Sequence, residues 1–176
     1  IGLYGNNPEP YKPVIDSWLA SSDISERRAG IIAAGGSGDL SYSRPLTSLL
    51  EREEDPSVLS LLLGALHDIE APEINETVMP YLTHPAEMVR LTALGACRVL
   101  DEKVARAVIP LLGDAAPEVQ DLAKEKLHNA SFRNAALLIE SLAVPDRRVR
   151  EGLFSLLESL EIKDVDIFRF ARAQAE

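Results

Sequence analysis

The fold is decided by four versions of one pattern: PSVLSLLLGAL (56–66), PAEMVRLTALGAC (85–97), PEVQDLAKEKL (117–127) and PDRRVREGLFSLL (145–157). Their central valines, Val58, Val89, Val119 and Val149, lie 31, 30 and 30 residues apart. Apolar residues follow each valine after four and eight positions, which is the spacing of one buried helix face. A constant period of this length is typical of stacked helical repeats.

Each copy also carries the signals of a helix start. Asp55 and Asp146 stand three residues before their valines, where a carboxylate can accept amide hydrogen bonds of the first helical turn. Ala86 and Ala116 occupy the same position in the other two copies. A proline lies close to every start, where its missing N–H costs little. A further apolar segment precedes each copy, at residues 78–82, 108–112 and 138–142. Each repeat is therefore predicted to be a helical hairpin.

The same register extends upstream, with Glu26 in the valine position and an earlier helix over 14–19 that turns Trp18 inwards. The sequence predicts an all-α fold with ten main helices, arranged as one array over residues 1–176. The expected hairpins cover residues 11–40, 41–71, 72–101, 102–130 and 131–161, and residues 162–176 are predicted to start a truncated terminal helix.

Three local motifs give this array a family resemblance. Val-Arg pairs at 89–90 and 149–150 follow proline-containing turns, and Ala-Ala-Gly at 33–35 leads to Gly-Asp at 38–39. Together they resemble HEAT repeats over about residues 11–161. The resemblance implies a right-handed α-solenoid that serves as a binding scaffold, with the second helix of each hairpin lining a concave surface. Some positions depart from the family pattern, since Leu59 and Gln120 replace the arginine.

The C-terminal residues 162–172 carry a second resemblance. They are similar to the HEAT segment of large bacterial membrane proteins that join a nucleotide-translocase-like transporter domain to HEAT repeats. This resemblance implies a cytoplasmic connector, tethered to a membrane through other parts of its parent. The loop-like start at Ile1, without an initiator Met, leads us to expect a soluble fragment of a larger protein.

Charge excludes several partners. The net charge of −10 disfavours nucleic acid and anionic membrane surfaces, because both need a cationic protein face. No run of about 18 apolar residues is available for direct membrane insertion.

The acidic residues are concentrated in the N-terminal half. Residues 1–88 carry a net charge of −9 and residues 51–76 carry a net charge of −7. An acidic docking site for a basic partner is one interpretation, and simple solubility is the other. The acids concerned are Glu51, Glu53, Glu54 and Asp55.

The sequence offers little for catalysis or cofactors. Cys97 is the only cysteine, which rules out a disulfide within the chain or a cysteine-based zinc site, and its place in an apolar position predicts a buried, inert thiol. His67 and His128 fall at equivalent C-terminal helix positions, which suits the helix dipole better than a metal. The glycine-rich stretch 35–38 lacks a P-loop lysine and is predicted to be a turn between hairpins. We expect no cofactor and no metal.

The most ordered polar feature is the residue that follows each repeat valine. Arg90, Gln120 and Arg150 are candidates for a concave-face interaction stripe. The alternative is an internal ladder, in which each arginine bonds carboxylates or carbonyls of adjacent turns.

The predicted function is a non-enzymatic module that binds other proteins or neighbouring domains of its own chain. The rival hypothesis is a HEAT-type enzyme subunit, such as a bilin lyase subunit. A HEAT-like DNA glycosylase fits poorly, because the acidic chain would repel DNA and no aromatic groove is identifiable around Trp18.

Overall fold

The computed structural model describes residues 11–98, 101–130 and 135–160, and the regular structure in these ranges is entirely helical. The all-α class is therefore confirmed. The described ranges contain ten α-helices: α1 (Lys12–Leu19), α2 (Ile24–Ser37), α3 (Ser43–Leu50), α4 (Pro56–Asp68), α5 (Ile74–Val78), α6 (Glu87–Ala96), α7 (Glu102–Val108), α8 (Pro117–His128), α9 (Ala135–Glu140) and α10 (Arg147–Ser159). The helix predicted over 162–176 lies outside the described residues.

The first helix of several repeats changes type near its end. The α-helices α5, α7 and α9 continue directly into 3₁₀ segments at Met79–Thr83, Ile109–Gly113 and Ser141–Ala143. In the first two, Pro80 and Pro110 stand just after the change. A proline has no N–H to donate to the carbonyl four residues earlier, so it interrupts the α-helical bonding there. The tighter 3₁₀ turn then carries the chain to the start of the next helix.

The chain forms two compact units, Ile1–Ala96 and Cys97–Glu176. In the N-terminal unit, α2 packs against α1 and α4, and α4 packs against α3 and α6. In the C-terminal unit, α8 and α10 pack against each other and against the segment Ile109–Gly113. The pairing of these helices into five HEAT-like hairpins within one array stays a prediction.

The buried face predicted from the repeat pattern is confirmed. Val58, Val89, Val119 and Val149 are all buried, and so are the residues four and eight positions after each of them. These side chains form the core of each unit together with apolar residues from the first helices, such as Leu46, Val78 and Leu112.

The predicted aspartate caps are also confirmed. The Asp55 carboxylate accepts hydrogen bonds from the N–H groups of Ser57 at 2.8 Å and Val58 at 3.2 Å. Asp146 caps α10 in the same way, and Asp23 caps α2. Each carboxylate satisfies donors that the first helical turn leaves without a partner.

The two repeats that lack an aspartate cap use a different polar contact. The Ala86 N–H donates to Nδ1 of His84 at 3.1 Å, and the Ala116 N–H donates to Oδ1 of Asp114 at 2.9 Å. In both repeats, a side chain three residues before the first residue of the helix therefore fixes the turn. His84 has this structural role.

The glycine-rich stretch 35–38 is mostly helical, so its prediction as a turn was wrong for Gly35 and Gly36. Helix α2 runs on to Ser37, and only Gly38, with φ of 66°, adopts the left-handed conformation that ends it. The reason is a close approach of two helices. A Cβ at Gly35 would lie 2.9 Å from Cα of Ala65 on α4, whereas a Cβ at Gly36 would meet nothing within 4 Å.

This difference predicts opposite effects at adjacent positions. Gly35→Ala should lower the free energy of unfolding by about 1–3 kcal/mol, because α2 and α4 must move apart. Gly36→Ala should raise it by about 0.5 kcal/mol, because alanine is the better helix former. Urea unfolding followed by circular dichroism measures both. Equal effects of the two substitutions would contradict the close approach.

Acid should weaken the caps. Hydrogen bonds from the Ser57 hydroxyl and from the Val58 and Ser57 amides lower the pKa of Asp55 below its ordinary value of 3.8. Bonds from the amides of Glu26 and Ser25 do the same for Asp23. A pKa lowered by folding stabilises the fold above the unfolded value, and this stabilisation is lost as pH falls through the folded value.

We therefore expect the unfolding free energy to fall steadily below about pH 4. Asp55→Asn keeps a capping side chain but removes one titrating group, so its stability should fall less steeply with acid. Urea titrations between pH 5 and pH 2 measure the two slopes. Parallel curves for the variant and the unmodified protein would show that Asp55 does not contribute.

Candidate functional site

The arginines predicted to form an interaction stripe lie against the backbone. Nη1 of Arg90 donates to the carbonyls of His84 and Pro85, both at 2.9 Å. Nη1 of Arg150 donates to the carbonyls of Val144 and Pro145, both at 2.7 Å.

The equivalent residues of two other repeats behave alike. Nη1 of Arg27 donates to the carbonyls of Ser21 and Ser22, and Nε2 of Gln120 donates to the carbonyl of Asp114. All four side chains are half-buried. They hold the start of each second helix to the turn before it, which supports the internal alternative. A binding role for Arg90, Gln120 and Arg150 stays a prediction.

The four predicted docking acids divide into two pairs. Asp55 caps α4, and Oε1 of Glu53 accepts the N–H groups of Glu54 and Asp55, both at 2.9 Å. These two carboxylates are therefore used to shape the turn before α4. Glu51 and Glu54 are exposed, and their carboxylates make no hydrogen bond or ion pair with any described residue. Only this second pair is available to a basic partner, whose docking here stays a prediction.

A different set of positions on the second helices is half-buried or exposed. It comprises the residues one before and two, three and six after the repeat valine, a spacing that places them on one helix face. In α4, these are the only residues between 57 and 66 that are not buried. In the N-terminal unit we name this set the N-terminal face; its members are Ser25, Arg28, Ala29, Ile32, Ser57, Ser60, Leu61, Gly64, Met88, Leu91, Thr92 and Gly95.

The N-terminal face has almost no charge, although it belongs to the more acidic unit. Arg28 is its one ionisable side chain, and Nη1 of Arg28 donates to Oγ of Ser57 at 2.8 Å. Ile32 is 60% exposed and Met88 is 49% exposed. The face is therefore an uncharged surface of apolar and small residues across α2, α4 and α6.

The same positions in the C-terminal unit are mostly charged, with five ionisable residues among eight. We name them the C-terminal face: Glu118, Asp121, Leu122, Glu125, Arg148, Glu151, Gly152 and Ser155. Between α8 and α10 a groove of about 460 Å³ is lined by Asp121, Lys124, Arg148 and Glu151, among others. Nζ of Lys124 donates to Oγ of Ser155 at 2.6 Å. The side chains of Asp121 and Arg148 make no hydrogen bond or ion pair with any residue that the structure describes.

A second cavity, of about 570 Å³, lies among α3, α5 and the turns before them. Its lining is rich in hydroxyl groups, from Ser41, Ser43, Thr47, Ser48 and Thr77, with Arg44 and Glu73 beside them. Hydroxyl groups offer hydrogen bonds to a polar surface but no strong nucleophile or metal ligand. No sequence motif pointed to this cavity.

The structure shows the surroundings of Cys97, His128 and His67. The Cys97 side chain is buried, as predicted, and this burial raises its thiol pKa to about 11. Nδ1 of His128 lies 3.2 Å from Oγ of Ser159, and His67 is exposed at the end of α4. Across the part of the chain that the structure describes, no three His, Cys, Asp or Glu side chains group as metal ligands.

Neither protein-family models nor curated proteins match this chain. The resemblance to HEAT repeats therefore stays a prediction. Within the described ranges, every helix is too short or too polar to cross a membrane.

Substitutions of two arginines on α10 test whether the repeat arginines stabilise the fold. Arg150→Met removes donors to the carbonyls of Val144 and Pro145 and should lower the free energy of unfolding by about 1–2 kcal/mol. Arg148→Met makes the same chemical change at a side chain that has no partner among the described residues, and should change the free energy of unfolding by less than about 0.5 kcal/mol. Thermal and urea unfolding measure both. Equal stability of the two variants would favour the interaction stripe instead.

Proposed function

We propose that this chain is a non-enzymatic protein-interaction module that binds through the exposed faces of its second helices. The observation that carries the proposal is the N-terminal face. Twelve positions at one register on three packed helices are left open, and they are uncharged apart from Arg28. Large uncharged surfaces on otherwise polar proteins are typical of interaction sites.

We further propose the right-handed solenoid of five HEAT-like hairpins as the scaffold for these faces. Side-by-side packing of consecutive second helices, α2 on α4 and α4 on α6, supports this arrangement, and so does the packing of α8 on α10. Stacking of this kind places equivalent positions of successive helices in one continuous surface. The partner is then another protein or a neighbouring domain of a longer parent chain.

The C-terminal face extends the proposal with a different chemistry. In its groove between α8 and α10, the side chains of Asp121 and Arg148 are exposed and have no partner among the described residues. Exposed charges of this kind contribute to orientation and to the rate of association more than to affinity. We propose the C-terminal face as a separate, charged interaction surface of its own unit.

Site-specific photo-cross-linking tests the location of binding. A benzophenone amino acid placed at Thr92, on the N-terminal face, should give a discrete adduct in an extract of cells that express the protein. The matched control is the same label at Val14, which is 45% exposed on α1 and outside the face. Adducts of the same pattern from both positions, or from neither, would contradict the proposal.

A further inference from the structure

Two glycines on the N-terminal face stand where a side chain would fit. Gly64 and Gly95 occupy the same register in the interior of α4 and α6, six residues after the repeat valine. A Cβ at either position would meet nothing within 4 Å, whereas a Cβ at Gly35 or Gly152 would meet backbone at 2.9 Å or 2.7 Å. Neither glycine has a positive φ. Glycine is less favourable than alanine inside a helix, so both positions weaken helices that they do not help to pack.

The surroundings of these glycines are apolar. Leu61 and Leu91 are half-buried and Met88 is exposed. Oγ of Ser60, four residues before Gly64, is shielded from water and has no hydrogen-bond partner. Because α4 packs against α6, the face lacks a side chain at equivalent positions of two neighbouring helices. A partner backbone can approach closely where no Cβ stands in the way.

The element that fits this area is an α-helix. The face consists of helix interiors, whose N–H and C=O groups bond within their own helix. An extended peptide would therefore leave its main-chain polar groups without partners, which is costly on an apolar surface. A helix satisfies its own backbone and presents only side chains. Docking of an amphipathic helix on an apolar surface is an established mode of peptide recognition.

The charges around the face indicate which residue type flanks the apolar stripe of that helix. Residues 11–96 include 13 acidic and 6 basic residues, a net charge of −7. Glu87 precedes Met88 at one end of the face, and exposed Asp68 lies one turn beyond Gly64 on α4. The one basic residue of the face, Arg28, is bound to Ser57. Basic flanks complement these charges, whereas a second copy of this unit would bring like charges together.

We infer that the N-terminal face binds an amphipathic α-helix of a partner protein, with small and apolar side chains over Gly64 and Gly95 and basic residues towards Glu87 and Asp68. This inference rests on the proposed function and adds the class of the partner.

The test is a selection from a display library of 20-residue helical peptides with randomised surface positions, using the full chain as bait. Enriched peptides should share an apolar stripe at helical spacing and carry Lys or Arg outside it. Purified peptides should bind the variant carrying both Gly64→Leu and Gly95→Leu at least about tenfold more weakly. Ser17→Leu, on the exposed side of α1, is the control and should leave affinity unchanged.

Weaker binding by the double variant would not be due to misfolding, because leucine is a better helix former than glycine and both positions are open. The double variant should therefore unfold at the same urea concentration as the unmodified chain, or a higher one. Failure to enrich any peptide, enrichment without helical spacing, or equal affinity for the double variant would overturn the inference. Binding of the chain to anionic vesicles in place of peptides would overturn it too. A discrete cross-link from Thr92 alongside any of these failures would leave the proposed function standing.

Discussion

The structure depends on the burial of each second helix on most of its sides. Helix α4 contacts α2, α3 and α6, and between residues 57 and 66 it leaves only one strip open. Burial on so many sides requires apolar residues at the valine position and at the positions four and eight later. It also requires small residues where helix backbones come together, as at Gly35 and Ala65. Both the core and the open faces follow from this constraint, because a face is whatever the packing leaves uncovered.

The buried helix face and the helix caps could be predicted because the same sequence pattern recurs in each repeat. The buried valines and the Asp55 and Asp146 caps depend on local spacing, which a sequence displays directly. The role of Arg90 and Arg150 could not be decided in this way. Their acceptors are backbone carbonyls, and every residue has one, so no residue type marks the partner. Gly35 and Gly36 are likewise identical in sequence, and only the distance to Ala65 separates them.

The open faces could have been found from the repeat alignment as the complement of the buried positions. The predicted interaction stripe occupies the position one residue after the valine, whereas the open face includes the positions two and three residues after it. The faces also show why net charge is a poor guide to binding chemistry here. The N-terminal unit is strongly acidic, yet its acids lie mainly in turns and at helix ends, such as Glu54 and Asp68. The C-terminal unit is close to neutral overall, yet its face is charged.

The short reach of the arginine bonds has a consequence for how such a chain can change over evolutionary time. Arg27, Arg90 and Arg150 close their turns within six residues, and the bonds Arg28 to Ser57 and Lys124 to Ser155 span 29 and 31 residues. No contact of this kind needs a distant part of the sequence. Duplication or loss of one whole repeat therefore preserves every turn closure, and the molecule can lengthen or shorten in units of about 30 residues.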